Sequence, residues 1–131
     1  MAGHNSLAEP WAIAVEKPAT GTRSVQSVVH ISDSGMATSG DYRNFFEYDG
    51  IRYSHTIDPA TGRPVTHDAA AVTVIGTNSA EADALATALL VMGPDSGLKF
   101  ARDAGIAAYF LLRRDPDFEE LVTPEFAALL N

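Results

Sequence analysis

The sequence of 131 residues contains no cysteine, which excludes disulfide staples, thiol nucleophiles and cysteine-held metals while leaving the redox compartment open. It has no run of about 18 apolar residues, the length a membrane-crossing helix needs. Basic residues are scarce: nine Lys and Arg stand against 17 Asp and Glu, for a net charge of −8. A chain of that sign does not track nucleic-acid phosphates. Any anionic ligand would need a metal ion or helix N-termini as counter-charge. No P-loop, zinc spacing, serine-nucleophile elbow or dinucleotide glycine fingerprint occurs. The opening Met1-Ala2-Gly3-His4-Asn5-Ser6 lacks the basic-then-apolar pattern of a secretory leader and reads as a cut or an expression start.

What the sequence does contain is globular. Hydrophobic residues make up 46% and charged residues 20%, a composition that buries a core and avoids disorder. The length suits one domain. Residues 11–16 (WAIAVE) alternate weakly and end at Lys17-Pro18, before a Gly/Thr loop. Residues 25–32 (VQSVVHIS) are β-branched and read as a strand, turned by Asp33-Ser34-Gly35. Asp49-Gly50 between residues 44–48 and 51–55 is the strongest short-range hairpin signal. Residues 71–76 (AVTVIG) form another strand.

Asn78 then caps a helix, with Glu81 in the capping-box position. The helix runs through residues 82–92 and stops at Gly93-Pro94. A second helix begins near Asp95 and ends at Gly105. Residues 106–112 (IAAYFLL) read as a buried strand, and Thr123-Pro124 opens a short terminal helix. Hairpin strands followed by paired helices and a further strand predict an α+β domain.

Two places carry chemistry. In Ser54-His55-Thr56-Ile57-Asp58-Pro59-Ala60-Thr61-Gly62-Arg63-Pro64 a strand ends in a turn dense with polar groups. Asp58, Pro59 and Gly62 have a loop-building role open to them, Asp58 accepting backbone N–H bonds from the following residues. His55 has two readings: a structural imidazole, or one that meets a phosphate or takes a hydroxyl proton near neutral pH. The second place is Asp83 and Thr87, four apart and so on one helix face. Two oxygen donors there suit a hard cation such as Mg²⁺. The alternative is local: Thr87 bonds back to the preceding turn and Asp83 favours the helix N-terminus. The neighbours Ala82, Ala84, Leu85, Ala86, Ala88 and Leu89 are all apolar, which predicts a helix buried all round, on which a carboxylate needs a partner. Weaker candidates are residues 37–42, a small-residue stretch that admits a ligand or only turns, and His30, expected on a sheet face. His4 and His67 are expected in loops, and Arg113-Arg114-Asp115 is expected as a solvated strand end.

Four segments in order resemble the FAD:protein FMN transferase (ApbE-like) family. They are Glu9-Pro10-Trp11-Ala12-Ile13, Met36-Ala37-Thr38-Ser39-Gly40-Asp41-Tyr42-Arg43-Asn44, residues 53–64, and Ala82-Asp83-Ala84-Leu85-Ala86-Thr87-Ala88-Leu89. The third is highly specific; departures are slight, such as Thr56, where the family more often has an aliphatic residue. The large departure is length, since family members are more than twice as long and this chain matches their second half.

The resemblance implies a half domain with tunnelling-fold-like architecture, an antiparallel sheet and paired helices, lying beside an absent N-terminal half with FAD in the crevice between. It implies transfer of FMN from FAD to a threonine of an acceptor protein, with release of AMP and dependence on Mg²⁺. Asp83 and Thr87 then match side-chain metal ligands, Ile57 matches a residue touching FAD, and His55 matches a histidine acting near the pyrophosphate. The parent protein is expected to be periplasmic or anchored to the inner membrane. Two other outcomes stay open: hydrolysis of FAD to FMN and AMP, and an inactive half that self-associates through an apolar inter-half face.

Overall fold

The computed structural model describes residues 1–17, 24–42 and 44–130. The Gly/Thr loop expected after Lys17-Pro18, and Arg43 of the second segment, lie outside the described residues. The chain forms β1 (Trp11–Glu16), β2 (Val25–Ile31), β3 (Gly35–Gly40), β4 (Phe45–Tyr48), β5 (Ile51–Ser54), β6 (Ile57–Asp58), β7 (Arg63–Pro64) and β8 (Ala69–Gly76). A long helix α1 (Ser79–Asp103), β9 (Ala107–Arg114), β10 (Asp117–Val122) and the short α2 (Pro124–Ala127) follow. The centre is a four-stranded antiparallel sheet in the order β10-β9-β8-β3. The class is α+β, as the element pattern predicts.

Alternation along the strands divides the core in two, because successive side chains point to opposite faces. Val72, Val74, Ala108, Phe110 and Leu112 turn to one face and pack with Ala82, Ala86, Leu89 and Leu90 of α1. Ala71, Tyr109 and Leu111 turn to the other, under Val15, Val29 and Ile31 of the β1–β2 ribbon and Phe126 of α2. The rings of Tyr109 and Phe126 are both fully buried with centroids 5.2 Å apart. Burying a side chain of that size contributes about 1.5–3 kcal/mol. The sheet is thus covered on both faces.

Glycine sets how closely α1 approaches. A Cβ on Gly35 would lie 2.1 Å from the backbone carbon of Asn78 and 2.2 Å from the Ser79 nitrogen, so only glycine lets the helix start rest on the β3 backbone. The cap there is the expected one, with Asn78 Oδ1 accepting the Glu81 N–H at 2.9 Å. The Glu81 carboxylate reaches one residue further back than a capping box predicts, accepting from the Thr77 N–H at 3.2 Å.

The stop expected at Gly93-Pro94 is where one helical run gives way to a second, the two meeting at a kink within α1. Gly93 has φ 80° and ψ 175°, and helix resumes beyond it. Pro94 has no N–H, so the carbonyl of Leu90, four residues earlier, loses its normal partner. His67 supplies one: its Nε2–H donates to Leu90 O at 2.5 Å, while its Nδ1 accepts the Ala69 N–H at 3.3 Å. The imidazole expected to be an unpartnered loop residue is therefore a splint for the kink. A Cβ on Gly93 would meet its ring at 2.9 Å.

Four expectations are corrected. Residues 35–40, whose small side chains give no β signature, form edge strand β3, and β10 continues the sheet where only a strand end was expected. Arg113 is only partly solvated: its guanidinium donates to the buried carboxylate of Asp41. Helix α1 is not buried all round, since Asp83, Ala84, Thr87, Ala88 and Met92 are exposed. Alanine favours helix at either location, so an alanine-rich run specifies helix without specifying burial.

Tyr109 gives a stability test. Burial pushes its phenol pKa far above the usual tyrosine value, with the hydrogen bond to Ser27 opposing. A pKa raised on folding means stability intact below the unfolded value, about 10, and lost as the pH rises through it toward the folded value. Unfolding titrations should therefore show stability falling above about pH 10 by up to ~1.4 kcal/mol per pH unit from this group. Tyr109→Phe should remove that share of the slope. An unchanged alkaline slope in Tyr109→Phe would show that the burial shift is absent.

Candidate active site

The β4–β5 hairpin carries the first site residue. Asp49 (φ 53°) and Gly50 (φ 74°) both adopt the left-handed conformation that a two-residue hairpin turn demands. The strands pair Phe45 with Ser54 and Tyr48 with Ile51. One residue beyond the ladder, the His55 N–H and its Nδ1 both meet the carbonyl of Asn44, at 3.3 and 2.8 Å. A carbonyl only accepts, so the proton of a neutral ring sits on Nδ1. Among the described residues that leaves the Nε2 lone pair uncommitted, on an exposed side chain.

The following turn is built by Asp58. Its Oδ1 accepts the Ala60 N–H at 2.9 Å, and its carbonyl accepts from the N–H groups of Thr61 and Gly62 at 3.2 and 2.8 Å. Gly62 has φ 68°. The loop-building role is the one observed for Asp58 and Gly62, closing the β6–β7 pair of Ile57 with Pro64 and Asp58 with Arg63. Ile57 is 50% exposed, so its side chain is offered outward and belongs to neither core cluster.

Asp83 and Thr87 lie one turn apart on the exposed face of α1. Among the described residues the Asp83 carboxylate has no hydrogen-bond or ion-pair partner. The burial argument for a cation therefore falls, and the donor chemistry remains. Thr87 does not bond back to its own helix: its hydroxyl pairs with the Ser39 hydroxyl of β3 at 2.7 Å. Ser39 was missed as a site residue, because nothing in the small-residue run distinguishes it from Thr38, whose hydroxyl pairs with Thr73 on the opposite sheet face at 2.7 Å. Only the register of β3 on β8 tells them apart. The set Asp83, Thr87 and Ser39 is all oxygen and fits a hard cation. No group of three His, Asp or Glu side chains with metal-holding geometry occurs among the described residues, so this set would supply part of a coordination shell. No hydrogen bond or ion pair among the described residues joins His55 to Asp83 or Thr87.

The hairpin is tied to the sheet from its inner face. Arg52 Nη2 donates to the Asp41 carbonyl at 3.0 Å, and its guanidinium lies 3.6 Å from the centroid of the Phe45 ring. Burial, then the charge of Arg113, lowers the Arg52 pKa, with Asp41 and Glu47 opposing. The outer face carries Phe46, Tyr48 and Ile51, which are 56%, 72% and 56% exposed, and Phe46 stacks on Tyr53 at 5.0 Å.

These features define an α+β domain that presents a base-competent imidazole and an oxygen donor set from separate elements. A family model described as the ApbE family matches residues 1–110. The FAD:protein FMN transferase of Vibrio cholerae is 44% identical over 131 residues, which is 100% of this chain and 39% of that protein. The protein of the same name from Escherichia coli K12 is 42% identical over 128 residues, 98% of this chain and 36% of its own length. The apo crystal structure of Pseudomonas stutzeri flavinyl transferase ApbE superposes with a TM-score of 0.81 at 44% identity, covering 98% of this chain and 39% of that one. The chain belongs to the ApbE family, and it spans under two-fifths of the length of these relatives.

Because Asp83 is exposed and has no partner among the described residues, Asp83→Ala should leave the fold intact. Its unfolding free energy should stay within about 0.5 kcal/mol of the parent, the range of ordinary surface substitutions. A loss of 2 kcal/mol or more, on the scale of breaking a buried network, would mean that the carboxylate has a structural partner.

Proposed function

We propose that this chain is the C-terminal half of a Mg²⁺-dependent FAD:protein FMN transferase, which moves FMN from FAD to a threonine hydroxyl of an acceptor protein and releases AMP. The observation that carries the reading is the His55 ring, locked by Asn44 O with Nε2 open, in a chain of the ApbE family. The parent protein would act in the periplasm or at the inner membrane.

The chemistry follows from the groups present. Nε2 of His55 takes the threonine proton as the hydroxyl oxygen attacks the phosphorus of the FMN moiety. A new P–O ester bond forms, the P–O bond to the AMP moiety breaks, and AMP leaves with the electron pair. The imidazolium keeps its Nδ1–H bond to Asn44 O, now charge-assisted and stronger. Ile57 gives the flavin nucleotide an apolar contact beside that ring. Asp83 and Thr87, with Ser39 orienting the Thr87 hydroxyl, would hold the Mg²⁺, which neutralises pyrophosphate charge in an acidic protein. Two protein oxygens, from Asp83 and Thr87, hold Mg²⁺ weakly without substrate phosphates, so this half alone should fold yet neither hold FAD tightly nor transfer FMN.

In the full-length protein, His55→Ala should lower the rate of acceptor flavinylation by ~10²-fold or more at saturating FAD, the scale of a positioned base, with little change in FAD affinity. Asp83→Ala should abolish Mg²⁺-dependent transfer. AMP release measured with and without acceptor separates transfer from hydrolysis. A collapse of FAD affinity with the saturated rate intact would make His55 a binding residue, and full activity of Asp83→Ala at low Mg²⁺ would remove the metal assignment.

A further inference from the structure

The hairpin that ends at His55 has little apolar anchorage. Its outer face, Phe46, Tyr48, Ile51 and Tyr53, points away from the body, and only Phe45, Glu47, Arg52 and Ser54 point inward. A two-stranded hairpin is at best marginally stable by itself, so something polar must set its angle to the sheet. Three groups converge where it leaves β3. The Asp41 N–H donates to Ala70 O at 3.1 Å, its carboxylate is held by Arg113, and its carbonyl receives Arg52 Nη2 at 3.0 Å. Arg113 is fixed in turn at the end of β9, its backbone N–H donating to Asp68 O at 2.8 Å and its Nη1 to Ala69 O at 3.5 Å. The Asp41 side chain is 9% exposed. A carboxylate that dry is costly unless paired, and the pairing holds the one residue that hands the sheet over to the hairpin.

We propose that the Asp41–Arg113 ion pair, acting through Arg52, positions His55. Arg113 fixes Asp41, the Asp41 carbonyl fixes Arg52 on β5, and three residues later the same strand delivers the imidazole to Asn44 O. Neither Arg52 nor Arg113 touches reacting atoms in this arrangement, so both are positioning residues. The inference rests on His55 serving as the base, but its test reads the position of the ring and not the reaction.

The ring nitrogens of the four histidines supply the readout. In ¹⁵N-labelled protein of the full 131-residue chain, at about pH 8, long-range ¹H–¹⁵N spectra separate the Nδ1–H from the Nε2–H form of a neutral ring. His55 should show Nδ1–H and His67 should show Nε2–H. Arg52→Met cuts only the hairpin side of the tie, and Arg113→Met cuts the sheet side. Both should release His55 into exchange between the two forms while His67 keeps its signature, and Arg113→Lys should restore part of the His55 signal. Should Arg113→Met fail to fold, Arg52→Met carries the test, its side chain lying on an exposed residue. A His55 signature unchanged in Arg52→Met would overturn the proposal, as would loss of the His67 signature together with it. Failure of the transferase reading would appear separately, as undiminished flavinylation by His55→Ala.

Discussion

The antiparallel register of β3 against β8 is the constraint on which the rest of the structure depends. Pairing Ser39 with Val72 and Thr38 with Thr73 sends Ser39 to the helix face, where it meets Thr87, and Thr38 to the other. A slip of one residue would exchange the two faces and present Thr38 to the helix. The same register carries Gly35 under the start of α1, where no Cβ fits, and so fixes the height of Asp83 above the sheet. At its far end it delivers Asp41 to Ala70 O and to Arg113. From there the chain enters the hairpin that carries His55. Helix face and hairpin are thus located from two ends of one short edge strand.

Polar groups in this domain divide by whether the fold has already satisfied them. Asp58 and Asp41 are held in turns and ion pairs, while Asp83 stands exposed and, among the described residues, unpartnered. The two imidazoles divide likewise. His67 uses both ring nitrogens, one to receive an N–H and one to replace the donor that Pro94 lacks, and is structural on that account. Among the described residues, His55 uses only Nδ1. Opposite tautomers follow from which nitrogen faces a carbonyl, and that difference separates a ring engaged at both nitrogens from one engaged at Nδ1 alone among the described residues.

Much of the fold was legible in the sequence, through signals whose cause is local. The Asp49-Gly50 turn needs two left-handed residues, Asn78 and Thr123 need only their own side chains to cap a helix, and the runs around Ala71 and Ile106 are β-branched or apolar enough to enter a core. The strands that escaped notice have no such signal. Residues 35–40 (GMATSG) are mostly small, Gly35 and Gly40 because the start of α1 and the Ala70 carbonyl leave no room for a Cβ, and β10 (DFEELV) carries charge because it lies at an edge. The ion pair of Arg113 joins residues 72 apart in sequence, which no local pattern announces. The hydroxyl partner of Thr87 is 48 residues away and escaped for the same reason.

Sequence alone determined the residue types and their local geometry: an Asp and a Thr one helical turn apart, a His at a strand end, and a turn closed by Asp58 and Gly62. These follow from the periods of helix and strand and from backbone sterics within a few residues, which are the same in any fold. Tertiary structure decided what those groups face. It exposed a helix face that looked buried and gave Thr87 a cross-element hydroxyl. It drew Arg113 inward onto Asp41, and it turned His67 to the kink and His55 to Asn44. Burial, pairing and tautomer depend on which distant segments pack together, and that is fixed by strand register and by the few positions where a glycine permits close approach.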